Sequence, residues 1–97
     1  MTIPATVLAP SDNVATLLAP AEEGATVAID TRDGEMRVDA REAIALGHKI
    51  ALADLAPGDR IVKYGECIGV ATAPIVRGAW VHVHNLRSLR AQAPTAP

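Results

Sequence analysis

The 97-residue sequence has no phenylalanine, one tryptophan and one tyrosine. Ligand pockets are cavities of roughly 300–1,000 Å³ with largely apolar and aromatic walls. A chain this short buries only about 60–65% of its unfolded surface, so it is not expected to enclose a deep pocket, and a self-contained enzyme is disfavoured. Cys67 is the single cysteine, which excludes an internal disulfide and fits a reducing compartment. Nine Lys and Arg stand against eleven Asp and Glu, a net charge of −2. No basic run occurs, and nucleic-acid binding is not expected. No apolar stretch is long enough to span a bilayer. Residues 1–20 lack the basic and unbroken apolar regions of a signal peptide. Glycine-rich phosphate loops, CxxC pairs and GxSxG elbows are also missing. The expectation is a soluble, cytoplasmic protein with no membrane association.

Alanine, with nineteen residues, dilutes an apolar fraction of 49%; the rest is mainly Val, Ile and Leu. That composition suits a thin core of β-branched and leucine side chains. Alternating apolar and polar residues predict strands at Ile3–Ala9, Asn13–Ala19, Ala25–Asp30, Glu35–Asp39, His48–Leu52, Arg60–Tyr64, Cys67–Ala71 and Ala79–Asn85. Glu22-Glu23-Gly24, Arg32-Asp33-Gly34 and Ala56-Pro57-Gly58-Asp59 read as turns between them. Arg41–Leu46 is the one segment expected to form a helical turn, with Gly47 as its stop. Residues 1–87 are expected to form one mainly β domain, and 88–97 a flexible tail. No repeat of fixed period stands out, although residues 14–27 and 49–62 echo one another around a glycine.

Trp80-Val81-His82-Val83-His84-Asn85 is the most informative stretch. As an extended strand it projects His82 and His84 to one side and buries Val81 and Val83 on the other. Imidazole is the commonest transition-metal ligand and a ready proton carrier near neutral pH. Two histidines facing solvent are the plainer reading, but one site would account for all three histidines if His48 lay nearby. Lys49 and Lys63, the only two lysines, are candidates for holding a carboxylate, as is Tyr64; a solvated strand start and a core-capping phenol are their plainer readings. Cys67 reads as a buried, inert thiol.

The order Gly47-His48-Lys49, Lys63-Tyr64-Gly65 and His82-Val83-His84-Asn85 resembles the SAF-type domain of the altronate/galactarate dehydratase family. The resemblance runs from about Ile3 to Arg87, and it implies a small β-clip fold beside a much larger domain. It further implies a sugar-acid hydro-lyase that uses a divalent metal, typically iron(II), shared with or held by a large catalytic subunit. The chain would then be a small subunit; the related alternatives are a small subunit of a sulfolactate sulfo-lyase and a non-catalytic sugar-acid-binding module. On this resemblance His48, His82 and His84 are the catalytic candidates, with His82 and His84 also as metal ligands. Lys49, Lys63, Tyr64 and Asn85 are the substrate-binding candidates. A polar strand end facing outward also predicts self-association or a larger partner.

Overall fold

The computed structural model describes residues 2–31 and 33–89. Nine short strands follow one another: β1 (Thr2–Thr6), β2 (Val14–Leu17), β3 (Thr26–Thr31), β4 (Gly34–Asp39), β5 (Lys49–Ala51), β6 (Arg60–Lys63), β7 (Glu66–Ala71), β8 (Trp80–Val81) and β9 (Leu86–Ser88). Six form a sheet in the order β4-β3-β1-β2-β5-β8, and β6-β7-β9 form a second. All neighbours are antiparallel except β1 and β3. This is the mainly β architecture expected from the alternation.

The strands are linked by one turn used four times. An apolar residue is followed three positions later by a glycine with φ between 83° and 92°: Ala21–Gly24, Ile44–Gly47, Leu55–Gly58 and Ile75–Gly78. Each glycine N–H donates to a carbonyl across the chain, and that same residue's N–H donates back to the residue after the glycine. Leu17 thus binds both Gly47 and His48, and Ala51 binds both Gly78 and Ala79; Ala40 and Ala71 do the same for Gly24 and Gly58. Two residues therefore oppose one, which is a glycine-headed β-bulge. Positive φ is what glycine supplies without steric cost. The apolar members pair as well, Ala21 with Ile44 and Leu55 with Ile75. The echo between residues 14–27 and 49–62 is thus two instances of this fourfold unit.

Arg41–Leu46 is not a helical turn. Its backbone is irregular, Ile44 exchanges both main-chain hydrogen bonds with Ala21, and Gly47 closes a turn from Ala45 to His48. Six residues are too few to hold a helix against a long-range pairing that satisfies the same groups. The boundary placed at residue 87 falls inside β9, where Ser88 pairs with Gly69; 90–97 lie outside the described residues.

Two apolar clusters form the core. Ala15, Leu17, Val27, Ile29, Ile44 and Ile50 belong to one, and Val14, Ala51, Leu55, Ile61, Ile75 and Val81 to the other. Adjacent residues of β2 and β5 enter opposite clusters, as period-2 alternation requires. Asn13 joins the sheets: its amide donates to the Arg60 carbonyl at 2.8 Å and accepts from Val62 N at 2.8 Å. Asp12 ties the β1–β2 loop to the β6–β7 hairpin. Burial alone would raise its pKa, but backbone donors at Gly65, Leu8, Ala9 and Tyr64 outweigh this and hold it below the usual carboxylate value. In that hairpin Tyr64 and Gly65 have φ of 54° and 79°, the two positive values of a type I′ turn.

Gly24 has open space where a Cβ would stand, whereas a Cβ on Gly78 would collide with the Asp39 carbonyl oxygen and crowd Arg41 Cγ. Gly24→Ala should therefore cost only the ~1–2 kcal/mol of a left-handed residue. Gly78→Ala should cost more than that. Urea unfolding of the two variants measures the difference, and equal losses would contradict the close approach.

Candidate functional site

The site is built where two of the glycine turns deliver β5 and β8 side by side. Gly47 leads into His48 and Lys49, and Gly78 leads into Trp80. The strands pair with Lys49 opposite Val81 and Ile50 opposite Trp80. Residues opposite one another share a face, so Trp80 lies over Ile50, and Lys49 lies on the other face with Val81. The Trp80 main-chain N–H is further held by Glu42 Oε2 at 3.1 Å.

The three histidines gather around Trp80. Its ring lies 5.8 Å from His48, 5.2 Å from His82 in a stacked arrangement, and 4.7 Å from His84. His48 and His82 are 4.7 Å apart between ring centroids. The indole Nε1–H donates to His48 Nδ1 at 3.1 Å. Trp80 was not among the sequence candidates, because a lone tryptophan reads as core. Its position two residues before His82, on the same strand face, is the signal that would have found it.

The strand expected through Asn85 ends at Val81. Val81 is fully buried, but Val83 is 79% exposed, which corrects its expected place in the core. Residues 82–85 form a turn closed by Asn85, whose side-chain oxygen accepts from His82 N at 2.9 Å and whose amide donates to the Trp80 carbonyl at 2.9 Å. Asn85 is only 8% exposed. Its amide serves the turn instead of standing free at a strand end.

Around this cluster stand charges of both signs, Glu42 at the Trp80 main chain and Lys49. Lys49 is half-buried; burial and then the charge of Lys63 push its ammonium below the usual lysine pKa. The Lys63 ammonium sits 5.1 Å from the Tyr64 ring centroid, a cation–π contact. Neither lysine has a carboxylate partner among the described residues, where the one ion pair joins Arg37 to Glu35. His82 is held below its ordinary pKa by loss of hydration and by the charges of His48, Lys49 and His84. The structure therefore gathers His48, His82 and His84 around Trp80, with Lys49 on the other strand face within electrostatic reach of His82. Lys63 and Tyr64 touch each other on the β6–β7 hairpin and connect to the cluster only through the charge of Lys63 on Lys49. The Thr16 hydroxyl, on the strand position opposite Lys49, is buried with no partner.

A metal centre does not assemble from these residues alone. No group of three or more His, Cys, Asp or Glu among the described residues is placed to hold an ion, and the His48 Nδ1 lone pair is taken by Trp80. His82 and His84, expected as ligands, have no third donor grouped with them among the described residues. Cys67, expected as buried, is half-buried on β7, with its thiol 3.4 Å from the Gly69 carbonyl. A cavity of about 370 Å³ is lined by Val7, Leu8, Asp12, Asp30, Met36 and Leu52 among others, and by none of the site residues. No helix among the described residues is long and apolar enough to cross a membrane.

The fold and site together define a small β module that presents three histidines around one indole. The model of the altronate/galactarate dehydratase SAF domain matches residues 4–89. The chain belongs to that family. Altronate dehydratase of Escherichia coli is 46% identical over 77 residues, 79% of this chain and 15% of that protein. The (2R)-sulfolactate sulfo-lyase subunit alpha of Paracoccus pantotrophus is 36% identical over 64% of this chain and 92% of its own length. Galactarate dehydratase of E. coli is 38% identical, over 57% of this chain and 12% of that protein. The chain thus spans a small part of the dehydratases and nearly all of one sulfo-lyase subunit; the family context is that of lyases.

The electrostatic reading is checked by titrating the imidazole signals by NMR. The His82 midpoint should lie below 6.5, the ordinary histidine value, and should rise in Lys49→Met, because removing a nearby cation favours the imidazolium. A midpoint insensitive to that change would separate the two residues. Asn85→Ala should lower stability by about 1–3 kcal/mol, since buried main-chain groups of the turn lose their partners. Urea unfolding checks it.

Proposed function

We propose that this domain supplies one wall of a lyase active site for a hydroxy-carboxylate of the sugar-acid class, completed by a larger polypeptide. The observation that carries the reading is the pair Lys49 and Lys63. A half-buried ammonium beside a second cation, with no carboxylate partner among the described residues, is an electrostatic cost that an anionic ligand relieves. The names of the relatives, altronate and galactarate dehydratases, supply the class of anion.

Dehydration of such an acid removes the proton from the carbon next to the carboxylate and expels the β-hydroxyl as water. The resulting enol becomes a 2-oxo acid. The lysines hold the carboxylate and offset the negative charge that grows on it as the proton leaves. His82, whose pKa is lowered, favours the neutral ring with a lone pair for a proton, and His84 stands beside the same indole; these are the groups assigned to proton transfer. The iron(II) or similar divalent ion implied by the family resemblance is assigned to the larger polypeptide, because no donor set for it is gathered among the described residues. A second reading, the alpha subunit of a (2R)-sulfolactate sulfo-lyase, is favoured by the 92% coverage of that subunit. There the leaving group is sulfite.

The test combines this chain with a dehydratase-like large polypeptide and ferrous iron. Formation of 2-oxo acid from altronate and galactarate is followed, and release of sulfite from sulfolactate. Lys49→Met and His82→Ala should each reduce turnover by about 10²-fold or more while the chain stays folded. Unchanged turnover when the chain is left out would remove the catalytic reading. Binding of these acids to the chain alone, without any turnover in the mixture, would instead identify a sugar-acid-binding module.

A further inference from the structure

The indole N–H of Trp80 can only donate a hydrogen bond. Its partner at 3.1 Å is His48 Nδ1, so that nitrogen carries the lone pair. The proton of the neutral His48 ring then sits on Nε2. Both rings are half-buried, and the contact joins two strands whose register sets Trp80 opposite Ile50. The Trp80 backbone is pinned independently by Glu42. The same indole stacks on His82 with an interplanar angle of 13°. One side chain therefore touches all three imidazoles but hydrogen-bonds, among the described residues, to His48.

We propose that Trp80 is a positioning residue that locks His48 in the Nε2–H tautomer, so that His48 offers a hydrogen-bond donor to an anionic oxygen of the ligand. His48 and His82 are thereby made unlike one another. The neutral His48 ring has its only lone pair engaged with Trp80, which removes it as a base and as a metal ligand. His82, whose ring is held by stacking, keeps a nitrogen lone pair for a proton. An anionic oxygen that reaches the imidazole cluster then meets an N–H on His48 and not a second lone pair, which would repel it. The tautomer stands on the hydrogen bond alone; its role toward the anion rests on the function proposed above.

The experiment is long-range ¹H–¹⁵N NMR of the imidazoles in the full chain at about pH 8, where neutral rings dominate. Wild type should show His48 with a pyridine-like Nδ1 and a pyrrole-like Nε2. Trp80→Phe keeps an aromatic surface for His82 and His84 but deletes the donor. Its His48 nitrogens should move toward one another as the second tautomer becomes populated, while a dispersed amide spectrum confirms the fold. A protonated Nδ1 in wild type, or His48 shifts unaltered by Trp80→Phe, would overturn the proposal. Galactarate affinity by calorimetry, for the chain combined with the dehydratase-like large polypeptide without iron so that no turnover occurs, reads the role separately. Trp80→Phe should weaken it by about tenfold, the size of one hydrogen bond to a charged group. In a His48→Ala background the same change should cost nothing, because Trp80 acts through His48. An equal loss in both backgrounds would refute the positioning role. Wild-type chain that shows the locked tautomer but, combined with the large polypeptide, does not bind galactarate would refute the role toward that anion, and leave the tautomer established.

Discussion

The double main-chain hydrogen bond at each glycine turn is the constraint on which the rest of the structure depends. Four times, a glycine N–H and the residue after it are tied to one residue across the chain. Buried peptide groups must find partners, and a small domain of very short strands has few ladder bonds with which to satisfy them. The bulge supplies two bonds where the chain reverses and sends the next strand off in a fixed direction. Two of the four turns launch β5 and β8. His48, Lys49 and Trp80 are therefore placed by glycine backbone geometry before any side chain of the site makes contact.

The scarcity of aromatic residues has a similar structural consequence. With two thin apolar clusters filling the interior, the histidines collect at the β8 edge of the larger sheet. The single tryptophan compensates by acting as a common surface for three imidazoles. Ordering these rings against an indole restricts them more than solvent would, and lost hydration with the charges of His48, Lys49 and His84 lowers the His82 pKa. The cost is electrostatic, since Lys49 is partly buried beside Lys63 with no carboxylate partner among the described residues. Costs of this kind are concentrated where a molecule does its work.

Much of the fold was legible from alternation and turn residues. Eight of the strands lie within or overlap the segments expected for them, and Pro57-Gly58 sits in a turn as read. The failures share a cause. Arg41–Leu46 carries helix-forming residues and a terminal glycine, but the partner that decided its conformation, Ala21, is distant in sequence. Residues 80–85 alternate perfectly, yet the Asn85 amide turned the chain by bonding the backbone of His82 and Trp80, and Val83 was left outside. Of the candidate site, the residue types and the grouping of the histidines were readable. Trp80 was not, since indole in a sequence is indistinguishable from core.

The sequence by itself determined the β class, the left-handed glycines, the modest acidic balance and the side chains available for chemistry. These follow from local sterics and composition, which act within a few residues. Only the tertiary structure decided that His48 and Trp80, 32 residues apart, meet through a hydrogen bond, and that the two lysines lie close enough to repel. Such meetings depend on which strands pair and in what register. That register is set by burying the apolar faces of all the strands together, a condition no single segment contains.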